Sequence, residues 1–512
     1  MSLPQRYDAP DIGLTGWSRW IWRQLTSMKT ALILLLLLAA AAVPGSIYPQ
    51  RSADPNGVAQ FFDNNPELAP VLDFFQLFDV YGSIWFSAIY ILLFTSLVGC
   101  VLPRTKVHYD ALRQEPVKTP TTLSRMPAYQ KSTASKGLDP VQVGMKILKG
   151  NGYRVIKRGN SISAEKGYMR ETGNLVFHLS LVGVLIAVGV GGGYSFSGQR
   201  VLAEGDTFVN NLAGFDSLSP GLFFNPETLT PLSVTLDKFE VDYDFTNKTN
   251  IGAPLDFRAT VTRKTSPEDQ GETSVIQVNA PLDEPGASLY LTGHGYAPEI
   301  TVRDANGDIS YSGATFFLPQ DNNMTSIGII KVPDNQPEQI GIVAFFYPTA
   351  AELSTGAYTS MFPGIVNPLI SMNVYTGDLG LDSGQSLNVY ALDTERLTQV
   401  AGRDAPTPGI VLELGQTKDL PNGLGTVTFD GIKRFASLDI AHNPGQFWVL
   451  LFSLLALAGV IVGLITPRRR VWVKSTASGF EVAALSKRED PRLEEVVREL
   501  TQEIKKGSKW TP

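Results

Sequence analysis

Four stretches of this chain each hold roughly 20 mostly apolar residues with no charge in their cores, and such a stretch folds as a helix across a bilayer, because hydrocarbon offers a peptide N–H no partner. They cover residues 28–47, 84–102, 173–193 and 447–465. For the first, a cleavable signal peptide is the alternative, since Ala39 to Ala42 precede Pro44. Its apolar core is longer than a signal's, and three further spans would keep the product in the membrane regardless.

Lysine and arginine stay in short cytoplasmic loops, so the charge between the spans orients the chain. Residues 1–29 carry a net +2, residues 45–83 carry −4, residues 103–172 carry +9, residues 194–446 carry −17 and the tail from residue 466 carries +4. This alternation predicts a multi-pass protein of the cytoplasmic membrane with both termini and the 103–172 loop inside, and the 48–83 loop and residues 194–446 outside. The head, residues 1–27, places Trp17, Arg19, Trp20, Trp22 and Arg23 where they suit the headgroup level. In the tail, residues 466–512, the segment 488–506 shows an amphipathic helical pattern with Leu493, Val496, Val497 and Leu500 on one side, suited to lie on the membrane or a partner.

Residues 194–446 read as strands. Leu232, Val234 and Leu236 alternate on even positions, then Phe239, Val241, Tyr243 and Phe245 on odd ones, so a bulge is expected near Asp237 and Lys238. The 103–172 loop suggests a short helix over 141–149 and a hairpin through Tyr153, Val155, Ile162 and Ala164, a small α+β element under the membrane. The fold class is an integral membrane α-helical protein with four transmembrane helices and a large β-rich extracytoplasmic domain, a sandwich or open barrel, between helices three and four.

Composition removes several chemistries. One cysteine, Cys100, forms no internal disulfide, redox pair or thiolate zinc cage, and in its span it reads as a small packing residue. Only four histidines are present, and no phosphate-cradling loop, HExxH motif or nucleophile beside a base occurs. No independent catalytic constellation results.

His178 carries the most information, since it lies roughly 7 Å into the third span and has lost most of its water. Gly183, Ala187 and Gly191 form a small-residue stripe turned about 140° to 220° from it on the helical wheel, so the imidazole points away from the close-packing face. A hydrogen bond to a neighbouring helix, an axial haem ligand and a proton relay are its three open roles. No Asp or Glu lies within the spans, which counts against a proton pump. His442, before the fourth span, is a solvated loop residue or part of a site at the outer membrane face. His294, in Gly293-His294-Gly295-Tyr296, reads as a turn, and His108, after Arg104 and Lys106, as a solvated or headgroup-facing residue.

In combination, Ser27-Met28-Lys29-Thr30-Ala31 opening the first span, Pro44-Gly45-Ser46 closing it, Phe78-Asp79-Val80-Tyr81 before Trp85-Phe86, Ser96-Leu97-Val98-Gly99-Cys100 with Pro103-Arg104, Phe177-His178-Leu179-Ser180 and Asn443-Pro444-Gly445 resemble the ResB family of System II cytochrome c maturation. The resemblance covers nearly the whole chain. It implies an accessory subunit of a haem lyase complex, not an enzyme by itself, that holds haem b in transit and presents it to apocytochrome c outside the membrane. The implied partner is a tryptophan-rich membrane protein, ResC or CcsA. It also implies that His178 is an axial haem ligand, with a second ligand from the partner. Lys166 and Arg170 at the inner rim are candidates for steering the haem propionates, and the acidic outer domain for binding apocytochrome or thiol-reducing, thioredoxin-like proteins. The competing class is a membrane-anchored extracytoplasmic ligand-binding or sensing module, which would call for a recognisable signalling domain inside.

Overall fold

The computed structural model describes residues 13–133, 138–246, 252–381, 391–487 and 489–507, so the start of the expected head, Arg488 and Trp510 lie outside the described residues. The chain divides into two compact units, residues 1–192 with 444–512, and residues 193–443.

In the first unit the helices are α1 (Leu14–Leu25), α2 (Met28–Ile47), α3 (Pro55–Asn64), α4 (Ala69–Phe74), α5 (Ile84–Arg113), α6 (Pro140–Gly150), α7 (Met169–Tyr194, whose last residues enter the second unit), α8 (Gln446–Ile465) and α9 (Leu493–Lys506). Four of them, α2, α5, α7 and α8, are long and apolar enough to cross a membrane, which marks a multi-pass membrane protein. Trp17, Trp20 and Trp22 are exposed on α1. The Ser27 hydroxyl caps α2 by accepting from the Thr30 N–H at 3.1 Å. Ser96 and Cys100 of α5 donate to the Leu25 and Thr26 carbonyls, at 2.5 and 2.8 Å, and tie α5 to the α1–α2 turn.

The second span runs beyond its expected end at residue 102. Pro103 has no N–H for the Gly99 carbonyl, yet α5 continues to Arg113, because losing one hydrogen bond interrupts a ladder without ending it. On α7, Gly173 and Gly183 face α8. A Cβ on Gly173 would lie 2.6 Å from the Gly459 carbonyl oxygen and 2.8 Å from the Gly463 nitrogen, so the two backbones meet directly there, and Gly183 meets the Phe452 ring.

The 103–172 loop does form the expected helix, α6, and hairpin, Arg154–Arg158 with Ser161–Lys166. Its sheet is completed by the tail. The five antiparallel strands run in the order Ala128–Ser132, Gly479–Ser486, Arg469–Thr476, Ser161–Lys166, Arg154–Arg158. Period-two alternation sends Val471, Val473, Phe480, Val482 and Ala484 to one face, under α6 and α9, and Trp472 and Ala483 to the other, against Leu123. Val497, Leu500 and Ile504 of α9 are buried in that first face, so the amphipathic tail helix covers its own sheet and not a membrane or a partner.

In the second unit, two strands, Ala287–Arg303 and Thr426–His442, pair antiparallel over almost their whole length. One core packs Leu289, Ala436, Leu438 and Ile440 against a four-stranded sheet that includes Ser233–Tyr243 and Pro254–Lys264. The other packs Ile300, Val302, Val427 and Phe429 against a six-stranded sheet built on Ile340–Tyr347 and Leu369–Thr376. Two sandwich cores thus share one long strand pair, and among the described residues none of the sheets closes into a barrel. The bulge expected near Asp237 is a register shift between Leu236 and Lys238.

His294 is not in a turn. It lies within the strand Ala287–Arg303 opposite Ala436, its ring stacked on Phe239 at 5.2 Å and close to Phe257 at 4.8 Å. The flanking glycines belong to the strand, where Phe435 leaves no room for a Cβ on Gly295. Burial, reinforced by the Arg434 charge, holds the His294 pKa down to about 4. The folded unit keeps the ring neutral while the unfolded chain takes a proton first, so stability falls as pH drops below about 6.5 and the loss is complete below about 4, on the order of 3 kcal/mol. His294→Phe is expected to show a smaller loss of melting temperature between pH 7 and pH 4.5 than the wild type. Equal losses in the two proteins would refute this role.

Candidate functional site

His178 stands on α7 at the seam of two adjoining cavities. One, of about 280 Å³, has apolar walls from Met28, Leu32 and Leu35 of α2, Leu93, Leu97 and Val101 of α5, and Phe177, Leu181 and Leu185 of α7. The other, of about 520 Å³, is charged, with Arg104 and His108 of α5, Glu171 and Asn174 of α7, Glu165 and Arg470 from the sheet, and Arg468 and Lys487 just beyond its strand ends. Val101, Arg104 and His178 line both. Neither nitrogen of His178 makes a hydrogen bond among the described residues, and Nδ1 is buried. Gly183 of the stripe meets Phe452 of α8, while His178 lines the slot walled by α2 and α5. Nor is the ring occupied by a hydrogen bond to a neighbouring helix.

Within the charged chamber most of the charge is already matched. The buried Glu165 carboxylate accepts from Arg470 Nε and from the Tyr168 hydroxyl, each at 2.5 Å, with Arg468 at 3.4 Å. Burial alone would raise its pKa, but the Tyr168 hydrogen bond and the Arg470 and Arg468 guanidiniums outweigh it and hold the carboxyl below the usual range. Arg468 also grips Glu171, which Lys487 approaches at 3.3 Å. Arg104 differs, since its guanidinium touches the Met28 sulfur and makes no ion pair among the described residues.

His108 is neither solvated nor headgroup-facing, because the extension of α5 turns it into the chamber wall. It is buried, its Nε2 lies 3.0 Å from the Thr172 hydroxyl and its Nδ1 lies 3.7 Å from Glu171. The Thr172 hydroxyl donates to the Tyr168 carbonyl, so it accepts from His108 Nε2–H. Hydrogen bonding thus ties this second histidine into the network, whereas His178 is left open.

Lys166 and Arg170 are placed apart from this lining. Lys166 donates to the Asn151 carbonyl at 2.9 Å over the Tyr153 ring, and Arg170 borders a further cleft with Gly459 and Gly463 that shares Glu171, Asn174 and Lys487 with the charged chamber. His442 ends its strand in the β-rich unit, its ring 6.1 Å from that of Phe196. Sequence reasoning missed Arg104, His108, Arg468 and Arg470. For the first two, the available signal was helical spacing continuing past Pro103, with residues 101, 104 and 108 on one face.

The site offers one open imidazole, an apolar slot beside it and an uncompensated guanidinium at the slot's rim. Among the described residues no three His, Cys, Asp or Glu side chains converge on one point, so this is no cage for a bare ion. An apolar ligand with an anionic edge is complementary to the slot and the guanidinium, and the open imidazole can serve as a hydrogen-bonding group or a metal ligand.

A model of the ResB-like family matches residues 28–498. The chain is 27% identical to the cytochrome c biogenesis protein CcsB of Synechococcus sp. (strain CC9311) over 56% of its own length and 62% of that protein, and 28% identical to CcsB of Synechococcus sp. (strain WH7803) over 54% and 61%. These matches thus span about three-fifths of those relatives. With CcsB of Prochlorococcus marinus (strain MIT 9301) the identity is 21%, over 94% of this chain and 97% of that protein.

Proposed function

The chain belongs to the ResB-like family, and from that premise we propose that it serves cytochrome c biogenesis as the membrane subunit that holds haem at His178 and presents it for attachment to apocytochrome c. The observation that carries the reading is the unpartnered imidazole at the seam of an apolar slot and a charged chamber. Haem here is cargo. His178 supplies one axial nitrogen to its iron, the walls from α2, α5 and α7 exclude water from the macrocycle, and cations at the rim meet its carboxylates. The second axial ligand comes from a multispanning partner of the ResC or CcsA type.

The loop charges support an orientation with both termini and the five-stranded sheet in the cytoplasm, which sets the charged chamber on the side where haem is made. The β-rich unit then faces outward, and the net charge of −17 over residues 194–446 suits a basic apocytochrome.

The test is a strain lacking this chain, assayed for c-type holocytochromes by haem staining, together with haem absorbance of the chain co-purified with its multispanning partner. Loss of all c-type holocytochromes and haem bound to the complex are expected. A strain that matures its full set without the chain would overturn the reading.

A further inference from the structure

We infer that Arg104 is the side chain that recognises a haem propionate at this site, pairing with one carboxylate of the macrocycle whose iron His178 holds. The inference rests on the haem-holding reading above. It begins from a difference among the cations of the chamber. Arg468 and Arg470 are committed to Glu165, Arg468 also to Glu171, and Lys487 to Glu171. Arg104 has no carboxylate partner among the described residues, and it shares the lining of both cavities with His178.

Its position selects the kind of anion. Arg104 leaves α5 one turn after Cys100 and Val101, which wall the apolar slot, and its guanidinium reaches across to the Met28 sulfur at the start of α2. The positive charge therefore lies over the mouth of the slot. A planar ligand that fills the slot with its apolar body must bring its polar edge to that mouth. Haem carries two carboxylates on one edge, and one guanidinium can grip one of them through parallel N–H donors. A lipid headgroup phosphate offers related chemistry at the same membrane face, and the titration below separates the two.

The experiment uses the full chain co-purified with its multispanning partner and freed of haem. It is titrated with haem and with haem dimethyl ester, whose carboxylates are masked. Only the absorbance change abolished by His178→Ala is counted, so that sites on the partner do not contribute. Wild type is expected to bind haem at least about tenfold more tightly than the diester. Arg104→Gln should weaken haem binding roughly ten- to a hundredfold and leave the diester unchanged. Equal wild-type affinity for haem and diester would overturn the inference without relying on any variant at Arg104. So would an Arg104→Gln protein that binds haem as tightly as wild type, which would leave Arg104 to headgroup phosphates only. Failure of the haem-holding reading itself looks different, since then no signal dependent on His178 arises with either porphyrin.

Discussion

Replacing His178 with glycine is expected to abolish axial coordination of haem by this chain and, with it, the maturation of c-type cytochromes. The substitution removes the only open imidazole in the cavity walls among the described residues and adds empty volume beside an apolar slot, so the macrocycle keeps its greasy contacts but loses its iron ligand. Loss of a hydrogen bond behind a metal ligand already costs about 10- to 100-fold in affinity, and loss of the ligand itself should exceed that. Because glycine leaves space, added imidazole should re-enter and restore the spectrum, whereas His178→Phe fills the space with carbon and should resist rescue. Absorbance of the purified complex with and without imidazole separates the cases. An unchanged spectrum in His178→Gly would return the residue to helix packing.

The second large effect lies in the wall of the chamber. Glu165 is 4% exposed and is held by Arg470, Arg468 and the Tyr168 hydroxyl. Glu165→Ala leaves two guanidiniums with a lost counter-charge in a site of restricted water, and removing one partner of a buried pair typically costs about 3 to 5 kcal/mol. Arg468 keeps Glu171, so the lower end of that range is expected. The folded carboxyl is more acidic than the unfolded one, so its stabilisation is present above the unfolded pKa near 4.3 and is lost as pH falls through the lower folded value. Denaturant unfolding in detergent, read by cleavage of the tail, measures the loss. Replacing Glu165 and Arg470 together by leucine should cost less than Glu165→Ala alone, and the opposite order would contradict the account.

Much of the site's geometry was legible because helical geometry is local. Gly183, Ala187 and Gly191 placed the packing face, and His178 followed on the other side from 3.6 residues per turn. What local pattern does not carry is pairing. Val471 and Val473, with Phe480, Val482 and Ala484, alternate over runs too short to announce a sheet whose neighbours in space include Ile162 and Ala164. A tail helix with an apolar side is therefore read as waiting for a membrane when its partner is a sheet in the same chain. His108 was misplaced by ending the second span at residue 102 and reading the basic stretch after it as solvated, and His294 by treating two glycines as a turn. In both cases packing overrode a breaker residue.

The five-stranded sheet takes its central strand, Arg469–Thr476, from beyond α8, and Glu165 meets Arg470 across 305 residues of sequence. During translation, the ribosome must therefore deliver α7, the whole β-rich unit and α8 before that strand exists. Until then Ile162 and Ala164 face water on an unfinished hairpin, and Arg468 and Arg470 are missing from the wall beside His178. Arrival of the tail closes the sheet and completes the chamber in one event, so a nascent or truncated polypeptide cannot offer cargo a finished berth.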